Sequence, residues 1–168
     1  MNVALSLGGV VVALAILWFN LRPWLKGGRD PKALIPYASG AGIGSLATIC
    51  VGGLLGWGAS GIAGLGSKAG DKGINGVTGT GSSAMATGRM GTLTEAGGAV
   101  TVLLLLGVIA LFKAAGKNDK RRIAGGFVTF AILGFLPGIA SLLGWWPDLV
   151  NAAGAKGREA LEHAGSWL

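Results

Sequence analysis

The chain alternates between long uncharged apolar runs and short segments that collect nearly all of its charge. A helix needs about 20 residues to cross a hydrocarbon core of roughly 30 Å, and four runs approach or exceed that length. A helix in a soluble core would carry a polar face, and the last two runs have none. The pattern predicts an all-α, polytopic membrane protein with four transmembrane helices, at about 3–21, 37–57, 97–112 and 123–146.

The runs divide the chain into two predicted hairpins, a loop and a tail. Residues 1–66 form the N-terminal transmembrane hairpin and residues 96–146 the C-terminal one. Residues 67–95 are rich in Gly, Ser and Thr, which predicts a flexible exposed loop with a short helix near 84–90. Residues 147–168 form an amphipathic tail, expected to be an interfacial helix starting after Pro147 and carrying an i,i+4 pair between Arg158 and Glu162. A solvated, partly disordered tail is the alternative.

The first run could also be read as a secretory signal peptide. Such a peptide has a basic region before its apolar core, and no basic residue precedes this run. An uncleaved first span is therefore expected. The composition agrees with a polytopic membrane protein, because 51% of residues are hydrophobic and only 12% are charged.

The distribution of Lys and Arg predicts the orientation in a cell membrane. The net charge is +7, and the cations concentrate in the two short loops at 22–36 and 113–122. Short cytoplasmic loops carry an excess of Lys and Arg. Both basic loops are therefore predicted to be cytoplasmic, with both termini and the 67–95 loop outside.

Glycine and proline mark expected packing and bending positions. Membrane helices approach closely at small residues four apart, and a large side chain blocks that approach. The second run contains two such pairs, which predict helix packing and a homo-oligomer: Gly40 with Gly44, and Gly52 with Gly56. Pro137 should kink the fourth span. Tyr37 and Trp57 are expected at the two membrane interfaces.

Ionisable side chains are missing from all four predicted spans. Proton relays, ion pathways and intramembrane catalysis normally require such groups. Cys50 is the single cysteine, which leaves no Cys-built metal site, and His163 is expected to be a solvated residue of the tail. The sequence therefore predicts a protein that is not an enzyme, with no catalytic residues, cofactor or metal.

The second basic loop contains more cations than orientation requires. An anionic partner, either phospholipid headgroups or nucleic acid, is a natural further use, with simple anchoring as the alternative. The residues expected to make these contacts are Lys113, Lys117, Lys120, Arg121 and Arg122.

The hairpin at 95–146 resembles the mature subunits of conjugative type IV secretion pili, which place two apolar helices around a short basic cytoplasmic turn. In the pilus that turn faces the lumen and meets the passing DNA strand, so the resemblance implies this place for the cations at 113–122. The chain differs from pilin precursors in its second, Gly-rich hairpin and in having no clear leader. Its overall style is similar to the spread proteins of actinobacterial conjugative plasmids.

These features favour a non-enzymatic membrane subunit of a self-associating assembly, a pore, pilus or channel component of a DNA-transfer or secretion system. Two alternatives stay open. A phage holin fits the small size and the glycines, although holins usually end in a basic cytoplasmic tail and this tail is nearly neutral. An accessory subunit that scaffolds a larger membrane complex also fits.

Overall fold

The computed structural model describes residues 5–50 and 52–165, and these fold almost entirely into helices. Residues 3 and 4 of the first predicted span and 166–168 of the predicted tail lie outside these ranges. The all-α prediction is confirmed for the described residues, which contain no β-strand. In chain order the elements are α1 (Leu7–Lys26), a 3₁₀-helix (Pro31–Leu34), α2 (Ile35–Ala47), α3 (Leu54–Thr78), α4 (Glu95–Ala114), α5 (Lys117–Leu133), α6 (Pro137–Leu142) and α7 (Trp145–Gly165).

The first apolar run forms α1. Ser6 caps this helix, because its hydroxyl oxygen accepts a hydrogen bond from the backbone N–H of Gly9 at 3.3 Å. The helix continues to Lys26 and passes through Pro23, so the segment at 22–36 is less irregular than predicted. Pro23 is tolerated near the helix end, where its missing N–H removes a single helical hydrogen bond.

The second apolar run forms two helices instead of the single span predicted over 37–57. α2 ends at Ala47, and α3 begins at Leu54. Tyr37 and Trp57 therefore do not lie on one helix. Tyr37 is buried at 6% exposure, whereas Trp57 is 69% exposed. The prediction of two interfacial belts on one span is wrong for Tyr37.

Local hydrogen bonding explains the break between α2 and α3. Thr48 donates its backbone N–H and its hydroxyl to the Ser45 carbonyl, at 3.1 and 2.7 Å, which tightens the last turn of α2. Gly52 then adopts a left-handed conformation with φ of 81°, which favours glycine. The segment between the helices is thus fixed by residues that suit a turn.

α3 extends into the predicted 67–95 loop and ends only at Thr78. Its buried face is built from small residues that recur every three or four positions, the spacing of one helix face: Gly56, Ala59, Ala63, Ser67 and Gly70. Small residues can mark the buried face of a helix as regularly as leucines do. The interpretation of 67–78 as a loop was wrong because it considered only large apolar side chains.

Residues 79–94, called the strap below, are non-helical, and the short helix predicted near 84–90 is absent. Hydrogen bonds donated by its backbone N–H groups hold the strap against other elements, so its path across the bundle is specified. They join Met85 N–H to the Leu5 carbonyl at 2.8 Å, Gly88 N–H to the Phe135 carbonyl at 2.7 Å, and Thr94 N–H to Asn151 Oδ1 at 2.9 Å.

The fourth predicted span, 123–146, is divided at Pro137, where only a kink was predicted. α5 ends at Leu133, and Pro137 begins α6, a position that suits proline because the first helical N–H has no partner. Leu136 before it is extended, with φ of −72° and ψ of 130°. Proline disfavours the helical conformation in the preceding residue, which explains the break.

The tail forms α7, which begins at Trp145 and not after Pro147. Pro147 lies within the first turn, where a missing N–H costs no helical hydrogen bond. The expected i,i+4 pair is present, with Arg158 Nε donating to Glu162 Oε1 at 2.6 Å. α7 packs along α4.

The most extensive helix contact, between α2 and α5, depends on glycine. A Cβ atom at Gly40 would overlap the Ile123 carbonyl, and one at Gly44 would overlap the Phe127 carbonyl. On the facing helix, a Cβ at Gly126 would overlap the α2 backbone. The contacts advance in the same order along both helices, so α2 and α5 run parallel with their backbones nearly touching.

Two further helix pairs make direct backbone contact at glycine in the same way. Gly8 of α1 faces Gly70 of α3, where a Cβ on either residue would overlap the other helix. Gly154 of α7 lies against the Ala96 carbonyl of α4. Backbone approach at glycine is therefore the general packing device of this bundle.

The other two predicted packing glycines have different positions. Gly52 lies in the break after α2, where a Cβ would meet nothing within 4 Å. A Cβ at Gly56 would overlap the Cys50 carbonyl in the same break. Gly56 thus packs α3 against the turn that precedes it and against the Ala47 carbonyl at the end of α2, which would lie 3.6 Å from such a Cβ. Neither residue takes part in the α2–α5 contact.

Two described helices, α1 and α4, are long and apolar enough to cross a membrane, by length and composition. Their mean hydropathies over the most apolar window are 1.5 and 2.2, and only 22% and 11% of those windows is buried. Four such helices were predicted. The other two predicted spans are the ones that the structure divides.

Gly44→Ala should destabilise the fold. The added methyl group meets the Phe127 backbone, which cannot rotate away, and such overpacking costs about 1–3 kcal/mol. Gly107→Ala on α4 is the matched control, because nothing lies within 4 Å and the helix gains up to about 1 kcal/mol in propensity. Thermal unfolding of the detergent-purified protein followed by circular dichroism measures both. A melting temperature for Gly44→Ala at or above that of wild type contradicts the glycine contact.

Candidate functional site

The two basic segments, separated by most of the chain, meet at one end of the bundle. Arg122 Nη1 of α5 donates a hydrogen bond to the Ala33 carbonyl of the 3₁₀-helix at 2.8 Å. α1 reaches the same place, since a Cβ at Gly125 of α5 would meet the Asn20 side chain. We call the surface formed by residues 22–36 and 113–122 the basic end.

The first basic segment has a defined conformation. Gly28 and Arg29 follow α1 with positive φ values of 83° and 58°, which turns the chain back toward the bundle. Trp24 Nε1 donates to the Asp30 carbonyl at 2.8 Å, and the Asp30 carboxylate accepts from the Lys32 N–H at 3.0 Å. The four cations of this segment are exposed, and they are Arg22, Lys26, Arg29 and Lys32.

The second basic segment joins α4 to α5. Lys113 lies in the last turn of α4, and α5 restarts at Lys117 after an extended residue, Ala115. Lys120 Nζ lies 5.9 Å from the centroid of the Phe112 ring, a cation–π contact that joins the two helices.

The cations predicted to contact a partner fall into two groups. Lys113, Lys117 and Arg121 are exposed and their charges face outward. Lys120 and Arg122 are half-buried, with Lys120 over Phe112 and Arg122 bonded to the Ala33 carbonyl. Arg122 therefore has a structural role, joining the two segments, that its sequence position did not reveal.

The basic end carries a large excess of positive charge. Nine Lys and Arg residues lie in the two segments, against the carboxylates of Asp30 and Asp119. Within the described part of the chain, the side-chain ion pairs within 4.0 Å lie on α7, so these nine cations are not neutralised by close acidic partners. Such a surface attracts phosphate groups without recognising a particular sequence or structure.

A polar cluster at the other end of α1 was missed by the sequence analysis. Ser6 Oγ donates to Asp71 Oδ1 at 2.6 Å, and the Ser6 N–H donates to Ser67 Oγ at 3.1 Å. Asp71 lies at the N-terminus of α1, where a negative charge stabilises the helix dipole. The cluster fastens α1 to α3 and accounts for Asp71, which the sequence analysis placed in a flexible loop.

The described residues contain no group of three His, Cys, Asp or Glu side chains that could hold a metal ion. The basic end therefore offers charge and exposed donors as its chemistry. Comparisons of the chain with protein-family models, curated protein sequences and solved structures give no match.

Proposed function

We propose that the chain is a non-enzymatic integral membrane protein and a subunit of a self-associating assembly. One observation carries the membrane part: α4 is apolar around its whole circumference, yet only 11% of its most apolar window is buried. The core helix of a soluble protein would be mostly buried. Large side chains of α4 point outward instead, with Val102, Leu103 and Leu106 each more than half exposed. A bilayer solvates such a surface, whereas water does not.

The proposed orientation is multi-pass, with the basic end in the cytoplasm. α1 and α4 both end at the basic end, and α2 and α5 both begin there. Each of these four elements thus has one terminus beside the cations, which supports a common side for the two basic segments under the positive-inside rule. α2 and α5 are then partial spans that enter from the cytoplasmic side and break within the protein. Non-helical backbone at that depth is tolerated where protein surrounds it.

Several glycines that make no close contact within the subunit support self-association. Gly40 and Gly44 contact α5 of the same subunit, so they do not serve contacts between copies. Gly58, Gly61 and Gly64 on α3 have open space where a Cβ would lie. Glycines at helical spacing on an outward face allow another helix to approach closely in a membrane.

We favour a DNA-transfer or secretion assembly because oligomerisation would multiply the basic end. Several subunits that share one orientation would place rings of uncompensated cations at one membrane face. Nucleic acid binds such surfaces through phosphate contacts and counterion release. The basic turn between α4 and α5 corresponds to the pilin-like hairpin of the sequence, and its Lys117 and Arg121 are exposed.

Thiol labelling tests the orientation. In a Cys50→Ala background, single cysteines replace exposed Leu25, Asn118 or Ser83, the last of which lies in the strap at the opposite end of α1. In intact cells an impermeant maleimide should modify Ser83→Cys and spare Leu25→Cys and Asn118→Cys. Lysed cells serve as the control, in which all three should react. Labelling of Leu25→Cys or Asn118→Cys from outside would refute the proposed orientation.

Crosslinking tests the α3 contact between copies. Gly61→Leu places a large side chain on the open glycine face and should reduce crosslinked oligomers in native membranes at least severalfold. Ala15→Leu on the exposed face of α1 is the matched control and should assemble like wild type. If Gly61→Leu yields wild-type oligomers while remaining folded, α3 does not form the interface.

The salt dependence of oligonucleotide binding tests the nucleic-acid proposal. Each phosphate contact to a single strand contributes about 0.7 to the slope of log K against log salt, so Lys117→Gln/Arg121→Gln should lower that slope by about 1.4. Lys68→Gln/Lys72→Gln on α3 removes the same charge from exposed positions outside the basic end and should leave the slope unchanged. Equal slopes for wild type and both variants would show that Lys117 and Arg121 make no phosphate contacts and would contradict this assignment.

A further inference from the structure

An apolar cleft separates α4 from the α2–α5 pair. α4 packs chiefly against α7 and touches α2 and α5 only lightly, which leaves a cavity of about 240 Å³ at the end nearest the cations. Every side chain that lines this cavity is apolar, and the main contributors are Ile43, Leu105, Ile109, Phe112, Ile123 and Phe127.

A second cavity adjoins this cleft along α2 and α4. It measures about 200 Å³ and shares Ile43 and Val108 with the first. The Trp146 ring lines its far side and is held by a hydrogen bond from Nε1 to the Gly42 carbonyl at 3.2 Å. Together the two cavities form a largely apolar path beside α4 that connects Phe112, near the basic end, with Trp146 and has Ser39 as its polar lining residue.

The mouth of the cleft is cationic. Phe112 lines the cleft and carries Lys120 over its ring at 5.9 Å, and Lys113 follows it in the chain. Ile123 and Ala124 line the opposite side, one turn beyond Lys120 on α5. An apolar path capped by ammonium groups matches one molecular shape, a hydrocarbon chain that ends in an anionic head.

We propose that this cleft binds an anionic phospholipid, with an acyl chain between α4 and the α2–α5 pair and the phosphate at Lys113 and Lys120. The inference rests on the proposed membrane location and adds a specific ligand to it. A helix about 10 Å across could not enter cavities of this volume, which makes a second copy an unsuitable occupant. A nucleic acid would contact the lysines but would leave the apolar cleft empty. Basic pockets between membrane helices on the cytoplasmic side are known sites for anionic lipid headgroups.

Native mass spectrometry of the full-length protein in detergent tests the proposal. Phosphatidylglycerol and phosphatidylcholine with identical acyl chains are titrated separately, and wild type should bind phosphatidylglycerol more tightly. Lys113→Gln/Lys120→Gln should weaken phosphatidylglycerol binding about fivefold per cation, the equivalent of about 1 kcal/mol each near an anionic surface. Its affinity for phosphatidylcholine should fall much less, because the choline cation offsets the phosphate charge of that lipid and the apolar walls are intact.

A second variant tests the acyl-chain path. Ala124→Trp places a large ring in the cleft mouth and should weaken the binding of both lipids. The matched controls are Lys68→Gln/Lys72→Gln for charge and Ala15→Trp for an exposed lipid-facing position, and both should bind like wild type. Circular dichroism checks the folding of each variant, and the lysine variant alone decides the outcome if Ala124→Trp does not fold.

Three results would overturn the proposal. Equal affinity of wild type for the two lipids, unchanged phosphatidylglycerol binding by the lysine variant, or an equal loss in the Lys68/Lys72 control would each do so. Loss of oligonucleotide binding by the lysine variant with lipid binding intact would assign these cations to nucleic acid instead. Extraction of the wild-type protein from cell membranes by alkaline carbonate is measured separately. Extraction refutes the proposed membrane insertion itself, whereas retention with no lipid selectivity refutes only the cleft.

Discussion

Direct backbone contact at glycine is the interaction on which this structure depends. Gly44 against Phe127, Gly8 against Gly70 and Gly154 against Ala96 each bring two helices together where a single methyl group would overlap the partner. Helix association within a bilayer gains nothing from burying leucine, since lipid tails are equally apolar, and relies on close packing. The closest helix contacts therefore use small residues. Large apolar side chains both fill the core, as Leu46, Ile132 and Phe135 do, and cover much of the surface of α1 and α4.

The same contacts place the breaks in two of the predicted spans next to each other. Because Gly40 and Gly44 hold α2 in parallel with α5, the two helices reach their ends side by side. A Cβ at Gly134, just after α5, would meet Thr48, just after α2. Thr48, Gly134 and Phe135 are all buried, so protein surrounds the breaks at these residues, whereas Gly52 and Gly53 further along the first break are exposed. The strap contributes by donating the Gly88 N–H to the Phe135 carbonyl at 2.7 Å.

Much of the helical content could be predicted from the sequence, but not its segmentation. The runs behind α1 and α4 carry large apolar residues throughout, and both form continuous helices. α3 was missed because its buried face contains only Gly, Ala and Ser, which a search for large apolar residues ignores. The break at Thr48 depends on a local hydrogen bond to Ser45, which competes with helix continuation and has no hydropathy signal. Likewise, the clustering of Lys and Arg in the sequence is enough to identify the two basic segments. Their contact, from Arg122 to the Ala33 carbonyl, is visible only in the folded structure.

The cations lie at positions where they destabilise the helix that carries them. Lys117, Lys120 and Arg121 lie in the first turns of α5, where the unpaired N–H groups give the helix a positive end. Asp119 offsets part of that repulsion, and Arg122 gains the Ala33 carbonyl as an acceptor. A sequence selected only for a stable α5 would place acidic residues here. The positive charge is better explained by an anionic partner outside the bundle, at the level where the apolar surfaces of α1 and α4 end. Phosphate groups at that level, of lipid headgroups or of a nucleic acid, would supply the negative charge that the first turns of α5 lack.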